Sequence, residues 1–180
     1  INLSEEMVML FVLIDSRHDI GQVDMDFLKE LGMGQIPFAI IFTKGDKMVL
    51  TPTYHTFRMY NVHQEATFLP LTCNSKTFTD ANGRECPIVD ATASRNAEGV
   101  INVTLTNTDL ENAAEITVSI AADGKPSVTG EILTSKNIAD YNDFDVPSKV
   151  TPAEFKDFKV KDGKITVKMP AKSIVSLCIK

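Results

Sequence analysis

The pattern of hydrophobic residues changes once along this 180-residue chain, at residues 43–55. Before that stretch, continuous apolar runs flank an amphipathic segment, which is typical of strands and helices in α/β proteins. From Phe68 onward the period of the apolar residues shifts towards two, and turn residues separate the runs, which is typical of antiparallel strands. The chain is therefore predicted to be mainly β, with an α/β piece in front.

The α/β piece predicts one βαβ unit. Residues 7–14 and 36–42 are apolar runs of strand length, and such continuous runs are expected in parallel strands that are covered on both faces. Between them, residues 23–31 form a predicted helix whose apolar side consists of Val23, Phe27, Leu28 and Leu31. A strand, a helix and a second strand in this order predict a parallel pair with a crossover. Two parallel strands cannot cover themselves, so we expect the rest of the chain or a partner to cover them.

A second helix is predicted directly after the change in pattern. Thr51 is a typical N-cap residue, and Pro52 occupies the first helical position, where a missing N–H costs nothing. Apolar residues continue at helical spacing to about Gln64. The sequence therefore predicts one short helix between the α/β piece and the strands that follow.

The remaining chain is predicted to form an antiparallel β-sandwich. Its strand candidates are residues 72–79, 86–93, 100–106, 114–121, 128–134, 155–160, 164–168 and 173–179. Turn signals separate them at residues 80–83, 96–99, 122–125 and 161–164. The pair Asp162-Gly163 is the strongest hairpin signal, and the polar residues 141–151 predict a crossing loop. Three segments are thus predicted: residues 1–47, a βαβ segment; 48–66, a linking strand and helix; and 67–180, the sandwich.

Composition limits the classes of function. The net charge of -6 argues against a nucleic-acid partner, because phosphate binding needs a clustered basic surface. The first apolar run is too short to span a membrane, and no basic residues precede it as they would in a signal peptide, so the sequence as it stands predicts a cytoplasmic protein. The three cysteines, Cys73, Cys86 and Cys178, show no metal-ligand spacing, and free thiols are expected.

The sequence Thr43-Lys44-Gly45-Asp46 follows the second predicted strand. Together with residues 10–18 and 37–47, it resembles the YihA/EngB family of bacterial ribosome-assembly GTPases, over about the first quarter of the chain. The resemblance implies that Lys44 covers the face of a guanine base and that Asp46 accepts its N–H groups. Phosphate binding additionally needs a glycine-rich loop that ends in Gly-Lys-Ser/Thr, and these 180 residues contain none. No nucleotide cofactor is therefore expected.

A second resemblance covers the rest of the chain, from about residue 44 to residue 180. Residues 44–66 look like the end of the catalytic barrel in glycoside hydrolase family 51 α-L-arabinofuranosidases. Residues 100–107, 130–134 and 170–175 resemble strands of the C-terminal domain of the same family. The resemblance implies a β-sandwich like that C-terminal domain, from a bacterial protein of arabinan and carbohydrate metabolism.

No residue of this chain is predicted to be catalytic. A retaining glycosidase needs two carboxyl groups about 5 Å apart, and in the resembled family both glutamates lie in the barrel, where the acid/base glutamate follows an asparagine. The chain contains no Asn-Glu pair, and its glutamates are expected to face water: Glu65, Glu85, Glu98, Glu111, Glu115, Glu131 and Glu154. No metal site is expected either, because His55 and His63 are two helical turns apart, too far to share a metal, and packing or solvent roles are expected for them and for His18.

These observations predict an accessory, non-catalytic domain, from either a truncated or a fused protein. The expected partners are a second copy of the chain or the missing catalytic barrel, with no nucleic acid and no membrane. Two alternatives stay open: a carbohydrate-binding module for arabino-oligosaccharides, and a remnant of a GTP-binding ribosome-assembly protein. Sugar binding would use exposed aromatic rings, but the chain has no Trp, and most of the six aromatic residues in and around the sandwich are expected in the core: Phe68, Phe78, Tyr141, Phe144, Phe155 and Phe158.

Overall fold

The computed structural model describes residues 10–15, 18–34, 38–44, 47–119 and 126–180. The chain divides into two compact units, which we call the N-terminal unit and the sandwich unit. The N-terminal unit comprises Ile1–His55 and Tyr141–Lys149, and the sandwich unit comprises Thr56–Asp140 and Val150–Lys180. The segment boundaries predicted after residues 47 and 66 were drawn from family resemblance, whereas these units are defined by contacts within the structure. The units therefore do not test the boundaries, which stay a prediction.

The N-terminal unit contains the predicted βαβ arrangement. Its elements are β1 (Leu10–Asp15), α1 (Gln22–Met33), β2 (Phe38–Lys44) and β3 (Lys47–Val49). Strands β1 and β2 are parallel, with Leu10 opposite Phe38 and Asp15 opposite Thr43, and β3 pairs with β2 in the antiparallel direction. The parallel pair with its crossover helix is therefore confirmed.

Strand β1 is not covered on both faces, contrary to the prediction. Val12 and Ile14 point to the covered side, whereas Phe11 and Leu13 on the other face are exposed, Leu13 by 66%. Successive side chains of a strand point to opposite faces, so one crossover helix can cover only every second residue. The same unit also exposes Val23 of α1, which was expected on the apolar side of that helix.

Helix α2 (Pro52–Tyr60) begins where its capping residue predicts, and it passes into a 3₁₀ turn at Asn61–His63. The hydroxyl of Thr51 accepts a hydrogen bond from the backbone N–H of Tyr54 at 3.2 Å, which confirms the N-cap. The division between the two units falls inside this helix, after His55. The chain thus enters the sandwich unit in a helical conformation.

The sandwich unit is built from short strands. In the described ranges they are β4 (Thr67–Phe68), β5 (Thr77–Thr79), β6 (Glu85–Pro87), β7 (Val89–Arg95), β8 (Ile101–Asn107), β9 (Ala114–Ser119), β10 (Val128–Thr134), β11 (Ala153–Phe155), β12 (Phe158–Lys161), β13 (Lys164–Met169) and β14 (Ser173–Ile179). The large sheet has the order β11-β10-β14-β8-β7-β4, the small sheet has the order β12-β13-β9, and β5 pairs with β6. All of these pairs are antiparallel, which confirms the predicted fold class.

Three predicted strands differ from the structure. The candidate at residues 72–79 is reduced to β5. The candidate at residues 86–93 is divided into β6 and β7, and the candidate at residues 155–160 is divided into β11 and β12; in both cases the two strands belong to different sheets. Lys156 and Asp157 form the corner between β11 and β12, where the carbonyl of Asp157 accepts from the N–H of Lys168 at 2.9 Å. Sheet changes of this kind depend on pairing partners far along the chain, which periodicity does not reveal.

The turns carry the backbone conformations that their residues favour. Gly83 and Gly99 have positive φ angles of 79° and 83°, and Asp162 and Gly163, between β12 and β13, have φ angles of 50° and 71°. Positive φ at both central residues matches the twist of a two-residue hairpin. The Asp-Gly hairpin is therefore confirmed, residues 141–151 form the predicted loop, and the predicted turn at residues 122–125 lies outside the described residues.

The core of the sandwich unit lies between the two sheets. Inward-facing residues alternate along the central strands, and the large sheet contributes Val103, Leu105, Val175, Leu177 and Ile179, while the small sheet contributes Ile165, Val167 and Met169. These side chains are almost completely buried. The opposite face of the large sheet carries the alternate, more polar residues of β8 and β14.

Gly130 permits the close approach of β10 and β11. A Cβ atom at this position would lie 2.9 Å from the backbone oxygen of Phe155, a separation that side chains do not tolerate without movement. We expect Gly130→Ala to lower the free energy of unfolding by about 1–3 kcal/mol, measured by urea denaturation. In Gly32→Ala the new Cβ meets nothing within 4 Å inside α1, so this control should not destabilise. An unchanged stability of Gly130→Ala would contradict the packing.

Candidate functional site

The residues predicted to contact guanine come from the turn after β2. Lys44 is the last residue of β2, and its backbone pairs with Lys47 of β3. Gly45 and Asp46 lie outside the described residues. The roles of Lys44 and Asp46 therefore stay a prediction.

Three glutamates of the sandwich unit form separate surface ion pairs. Glu154 pairs with Lys156 at 2.8 Å, Glu115 lies 3.9 Å from Lys168, and Glu131 pairs with Arg58. Within the described ranges, no three His, Cys, Asp or Glu side chains are grouped so that they could hold a metal ion. The most informative polar contacts of this unit are therefore those that join its helical residues to its large sheet.

Residues 56–63 pack against the outer face of the large sheet through apolar and polar contacts, and we call this contact region the junction. Its centre is apolar: Met59 is buried together with Leu133 of β10 and Val150, and Ile174 of β14 packs against them. Alternation along β8 and β14 sends their other residues into the sandwich core, so this second cluster lies on the opposite side of the same sheet. The junction thus gives the large sheet a buried patch on both faces.

Polar pairs flank this apolar centre. The guanidinium of Arg58 donates to a carboxylate oxygen of Glu131, and the hydroxyl of Tyr60 lies 2.9 Å from that of Thr106. Arg58 and Glu131 are partly exposed, so their ion pair contributes little to stability and mainly fixes orientation. Together with Met59, these side chains attach the helix to two strands, β8 and β10.

His63 forms the most buried polar contact of the junction. Its Nδ1 atom lies 2.7 Å from the hydroxyl of Ser94 on β7, and its Nε2 atom lies 2.8 Å from the hydroxyl of Thr104 on β8. Both hydroxyl residues are buried, and the ring of Tyr60 lies 6.0 Å from the imidazole. A neutral imidazole has one donor and one acceptor, and each can be satisfied by one hydroxyl.

The pair Ser94 and His63 superficially resembles a nucleophile and its base. Ser94 is only 3% exposed, and Thr104, rather than a carboxylate, contacts the second imidazole nitrogen. A nucleophilic serine must reach its substrate, and its histidine is ordinarily oriented by an acidic group. The arrangement therefore holds the 3₁₀ turn against β7 and β8.

The junction predicts a dependence of stability on pH. Burial lowers the pKa of His63 from its usual value of 6.5. The unfolded chain then takes up the proton at a higher pH than the folded chain, so the stabilisation is complete above pH 6.5 and is lost as the pH falls towards the folded-state pKa. We expect the free energy of unfolding to decrease below pH 6.5, by less than about 1.4 kcal/mol per pH unit, the limit for one proton.

Urea denaturation at several pH values compares the protein with His63→Gln, which keeps a donor and an acceptor but does not titrate. The variant should lack this part of the pH dependence, while the exposed His18 is common to both proteins. Identical pH dependence in the two proteins would contradict the assignment.

Sequence reasoning identified the helix and the strands of the junction but not their contact. His63 is separated from Ser94 by 31 positions and from Thr104 by 41, so no local spacing connects them. The signal that could have revealed the contact is the polar residues at alternate positions of β8, which indicate a strand face that does not belong to the sandwich core. His63, to which no role was assigned, was a possible partner for that face.

Most of the aromatic residues expected in the core are not fully buried, and this is a correction. Phe155 is buried and Phe144 and Phe158 are half-buried, whereas Phe68, Phe78 and Tyr141 are exposed. Phe68 and Phe78 lie on the two short strands β4 and β5, which have too few neighbours to cover both of their faces.

No helix in the described ranges is both long and apolar enough to cross a membrane.

Comparison with known proteins relates most of the chain to one family. The family model for the α-L-arabinofuranosidase C-terminal domain matches residues 28–173. An intracellular exo-α-L-arabinofuranosidase of Bacteroides ovatus is 44% identical over 162 residues, which cover 88% of this chain and 32% of the relative. The chain therefore spans about a third of the length of this curated relative.

A solved structure gives the same relation. The GH51 arabinofuranosidase of Xanthomonas axonopodis pv. citri superposes with a TM-score of 0.72 at 35% identity, covering 80% of this chain and 31% of that protein. The chain also matches a second group of proteins over a short stretch: the probable GTP-binding protein EngB of Christiangramia forsetii is 57% identical over 44 residues, which cover 24% of this chain and 22% of that relative.

The two similarities overlap. The family model begins at residue 28, upstream of the change in hydrophobic pattern at residues 43–55, whereas the EngB match spans only 44 residues. The antiparallel sandwich, the extent of the family match and the similarity to a solved GH51 enzyme agree with one another. The chain belongs to the family of α-L-arabinofuranosidase C-terminal domains.

Proposed function

We propose that this chain acts as an accessory, non-catalytic domain that stabilises the catalytic barrel of an α-L-arabinofuranosidase-like enzyme. The observation that carries the proposal is the junction, in which Met59 and His63 attach residues 56–63 to the outer face of the large sheet. Those residues belong to the stretch that resembles the end of the barrel. Unfolding of the end of the barrel would break this buried attachment, so the sandwich stabilises that end.

The proposal assigns no catalytic residue to this chain. Three of its glutamates, Glu115, Glu131 and Glu154, form surface pairs with cations, and the sequence contains no Asn-Glu pair. The action of the complete enzyme on arabinose-containing polysaccharides belongs to the proposal, because the chain covers 32% of the related enzyme from Bacteroides ovatus. A cytoplasmic location is also part of the proposal, supported by the intracellular designation of that relative, and fractionation of cells that produce this protein would test it.

A fusion experiment tests the accessory role. Residues 48–180 are joined to the catalytic barrel of the Bacteroides ovatus relative in place of its own C-terminal region, and release of arabinose from a chromogenic arabinofuranoside is measured. We expect the barrel alone to lose activity at a lower temperature than the fusion, with similar kcat/KM for the active fractions. A fusion no more heat-resistant than the isolated barrel would overturn the accessory role, and arabinose release by this chain alone would overturn its non-catalytic character.

We further propose that exposed apolar residues of the N-terminal unit mediate contact with a barrel or with a second copy of this chain. They are Phe11 and Leu13, which are both exposed on the same face of β1. Contiguous exposed apolar surface is characteristic of interaction sites. Analytical ultracentrifugation should detect a dimer that weakens in Leu13→Lys, whereas a monomer at all concentrations would contradict self-association.

Exposed aromatic rings favour a second candidate function, the binding of arabino-oligosaccharides by the sandwich. Phe68 and Phe78 present their side chains to solvent in this unit, and sugars stack on such faces. Calorimetric titration with arabinan and arabinoxylan fragments should produce heat that disappears in Phe68→Ala or Phe78→Ala. Absence of heat with the unchanged protein would remove this candidate.

The EngB similarity favours a third candidate, the remnant of a GTP-binding ribosome-assembly protein. The proposed guanine contacts are Lys44 and Asp46. A fluorescent guanine nucleotide, titrated to millimolar concentration, should show saturable binding that is lost in Asp46→Ala. A flat titration with the unchanged protein would end this candidate.

A further inference from the structure

The sandwich unit contains a cavity of about 730 Å³ between its two sheets. Strands β7 and β8 form one wall and β9 forms the opposite wall. The segment Leu69–Asn74 closes the side: the N–H of Leu69 donates to the carbonyl of Ala93 at 3.0 Å, and the thiol of Cys73 donates to the carbonyl of Val89 at 3.4 Å. Its size lies within the range of small-molecule sites, which are typically 300–1,000 Å³.

Two alanines contribute to the open space of the cavity. Ala91 and Ala93 occupy inward positions of β7, opposite Leu105 and Val103 of β8. Strands usually place branched or aromatic side chains at such positions, and the methyl groups of the alanines leave a gap beside the wall. The small side chains of β7 therefore account for part of the space in the cavity.

Two residues of opposite charge border the cavity, and both are exposed. Arg95 pairs with Ile101 at the start of β8, whereas Glu115 stands near the start of β9, which follows the end of β8 after a six-residue connection. The seven residues of β8 separate the two side chains by roughly 20 Å, at about 3.3 Å per residue. Glu115 lies 3.9 Å from Lys168, and Arg95 makes no ion pair with a residue of the described ranges. The exposed guanidinium of Arg95 thus borders the cavity without a carboxylate partner among the described residues.

Between these residues the lining combines aliphatic and short polar side chains. Ile101, Val103 and Leu105 of β8 and Ile116 and Val118 of β9 supply aliphatic groups, Thr72 and Asn74 supply polar ones, and no aromatic ring of the described residues lines the cavity. A sugar would need an aromatic face to stack on, which this lining does not provide. A ligand with an apolar body would contact the aliphatic side chains, and a single anionic group on it would pair with the guanidinium of Arg95.

We propose that the cavity between β7, β8 and β9 binds a small amphipathic anion, an aryl or alkyl molecule with a single carboxylate, sulfonate or similar group directed to Arg95. This site lies apart from the junction and does not depend on the accessory role. Burial of the apolar body supplies the affinity, and the guanidinium sets the orientation and the preference for an anion.

Two matched probes test the proposal on the whole chain. One is 1-anilinonaphthalene-8-sulfonate, and the other is N-phenyl-1-naphthylamine, which has the same rings without the sulfonate. We expect saturable fluorescence for both, and we expect Arg95→Gln to weaken binding of the sulfonate about three- to tenfold while the neutral probe is nearly unaffected. Arg95→Lys should restore part of the affinity, and Lys159→Gln is the control for loss of an exposed positive charge on β12.

Filling the cavity tests the location. Ala91→Ile should weaken both probes by at least about tenfold. Glu115→Gln, at the opposite end, should leave sulfonate binding unchanged or slightly stronger. Probe binding that survives Ala91→Ile would place the probes elsewhere, for example on the exposed apolar residues of the N-terminal unit, and would overturn the proposal. Equal sulfonate affinity in Arg95→Gln and in the unchanged protein would also overturn it.

Alkylation of Cys73 supplies a measurement that does not depend on Ala91→Ile folding correctly. Cys73 lines the cavity, and the other two cysteines are replaced by serine so that it is the only thiol. Bound sulfonate should slow alkylation of Cys73 several-fold. An alkylation rate that does not change at saturating probe would overturn the proposal.

Discussion

Replacing Leu177 by alanine is expected to lower the free energy of unfolding of the sandwich unit by about 3–5 kcal/mol. Leu177 has 0% of its surface exposed and lies in the middle of β14, with Gly130 and Val103 as its partners on the neighbouring strands. The change removes three carbon atoms from the layer between the sheets, and the strands on both sides prevent the space from closing. Urea denaturation followed by circular dichroism measures the loss, which corresponds to a fall in melting temperature on the order of 10 °C.

The neighbouring residue provides a matched control. Ser176 lies on the same strand but points to the opposite face of the sheet, where it is half-buried. Ser176→Ala should change the free energy of unfolding by no more than about 0.5 kcal/mol. If the two variants were equally destabilised, the assignment of inward and outward faces along β14 would be wrong.

Replacing Met59 by alanine is expected to cost about 2–4 kcal/mol, because it removes the central side chain of the junction. Met59 is 2% exposed and is enclosed by Leu133, Val150 and Ile174. The loss should be largest around the helix itself. Amide hydrogen exchange of residues 56–63 should therefore accelerate, and trypsin should cleave after Arg58 more rapidly than in the unchanged protein.

Val62→Ala is the control for this variant. Val62 follows in the 3₁₀ turn, where its side chain is 38% exposed, so its truncation should cost less than about 1 kcal/mol. If trypsin cleaved Met59→Ala after Arg58 no faster than the unchanged protein, the junction would not be what holds the helix in place.

The strand candidates at residues 128–134 and 173–179 coincide with β10 and β14 to the residue. β14 includes apolar residues at the alternate positions 175, 177 and 179, β10 includes them at 128 and 132, and turn residues stand at the ends of both strands. The Asp162-Gly163 hairpin and the helix start at Thr51 were predicted with the same success, because in each case a few adjacent residues determine the backbone conformation. Local chemistry of this kind can be read without knowledge of the partners.

The predictions were wrong where the partner decides the outcome. Covered faces were expected for β1 because its residues are continuously apolar, yet Phe11 and Leu13 are exposed. A single strand was expected at residues 155–160, yet the two halves pair with different sheets. In both cases the residues permit the predicted structure, and the number and position of neighbouring strands exclude it.

The amino-acid sequence by itself determined the change from an α/β pattern to an antiparallel one, most of the strands and the family relationship, because these follow from periodicity and from residue identities. Only the tertiary structure decided that residues 56–63 lie on the outer face of the large sheet and that Ala91 and Ala93 border a cavity with Arg95 at one end. These features depend on residues that are tens of positions apart in the chain. Their contacts arise from strand order and register, which no local pattern records.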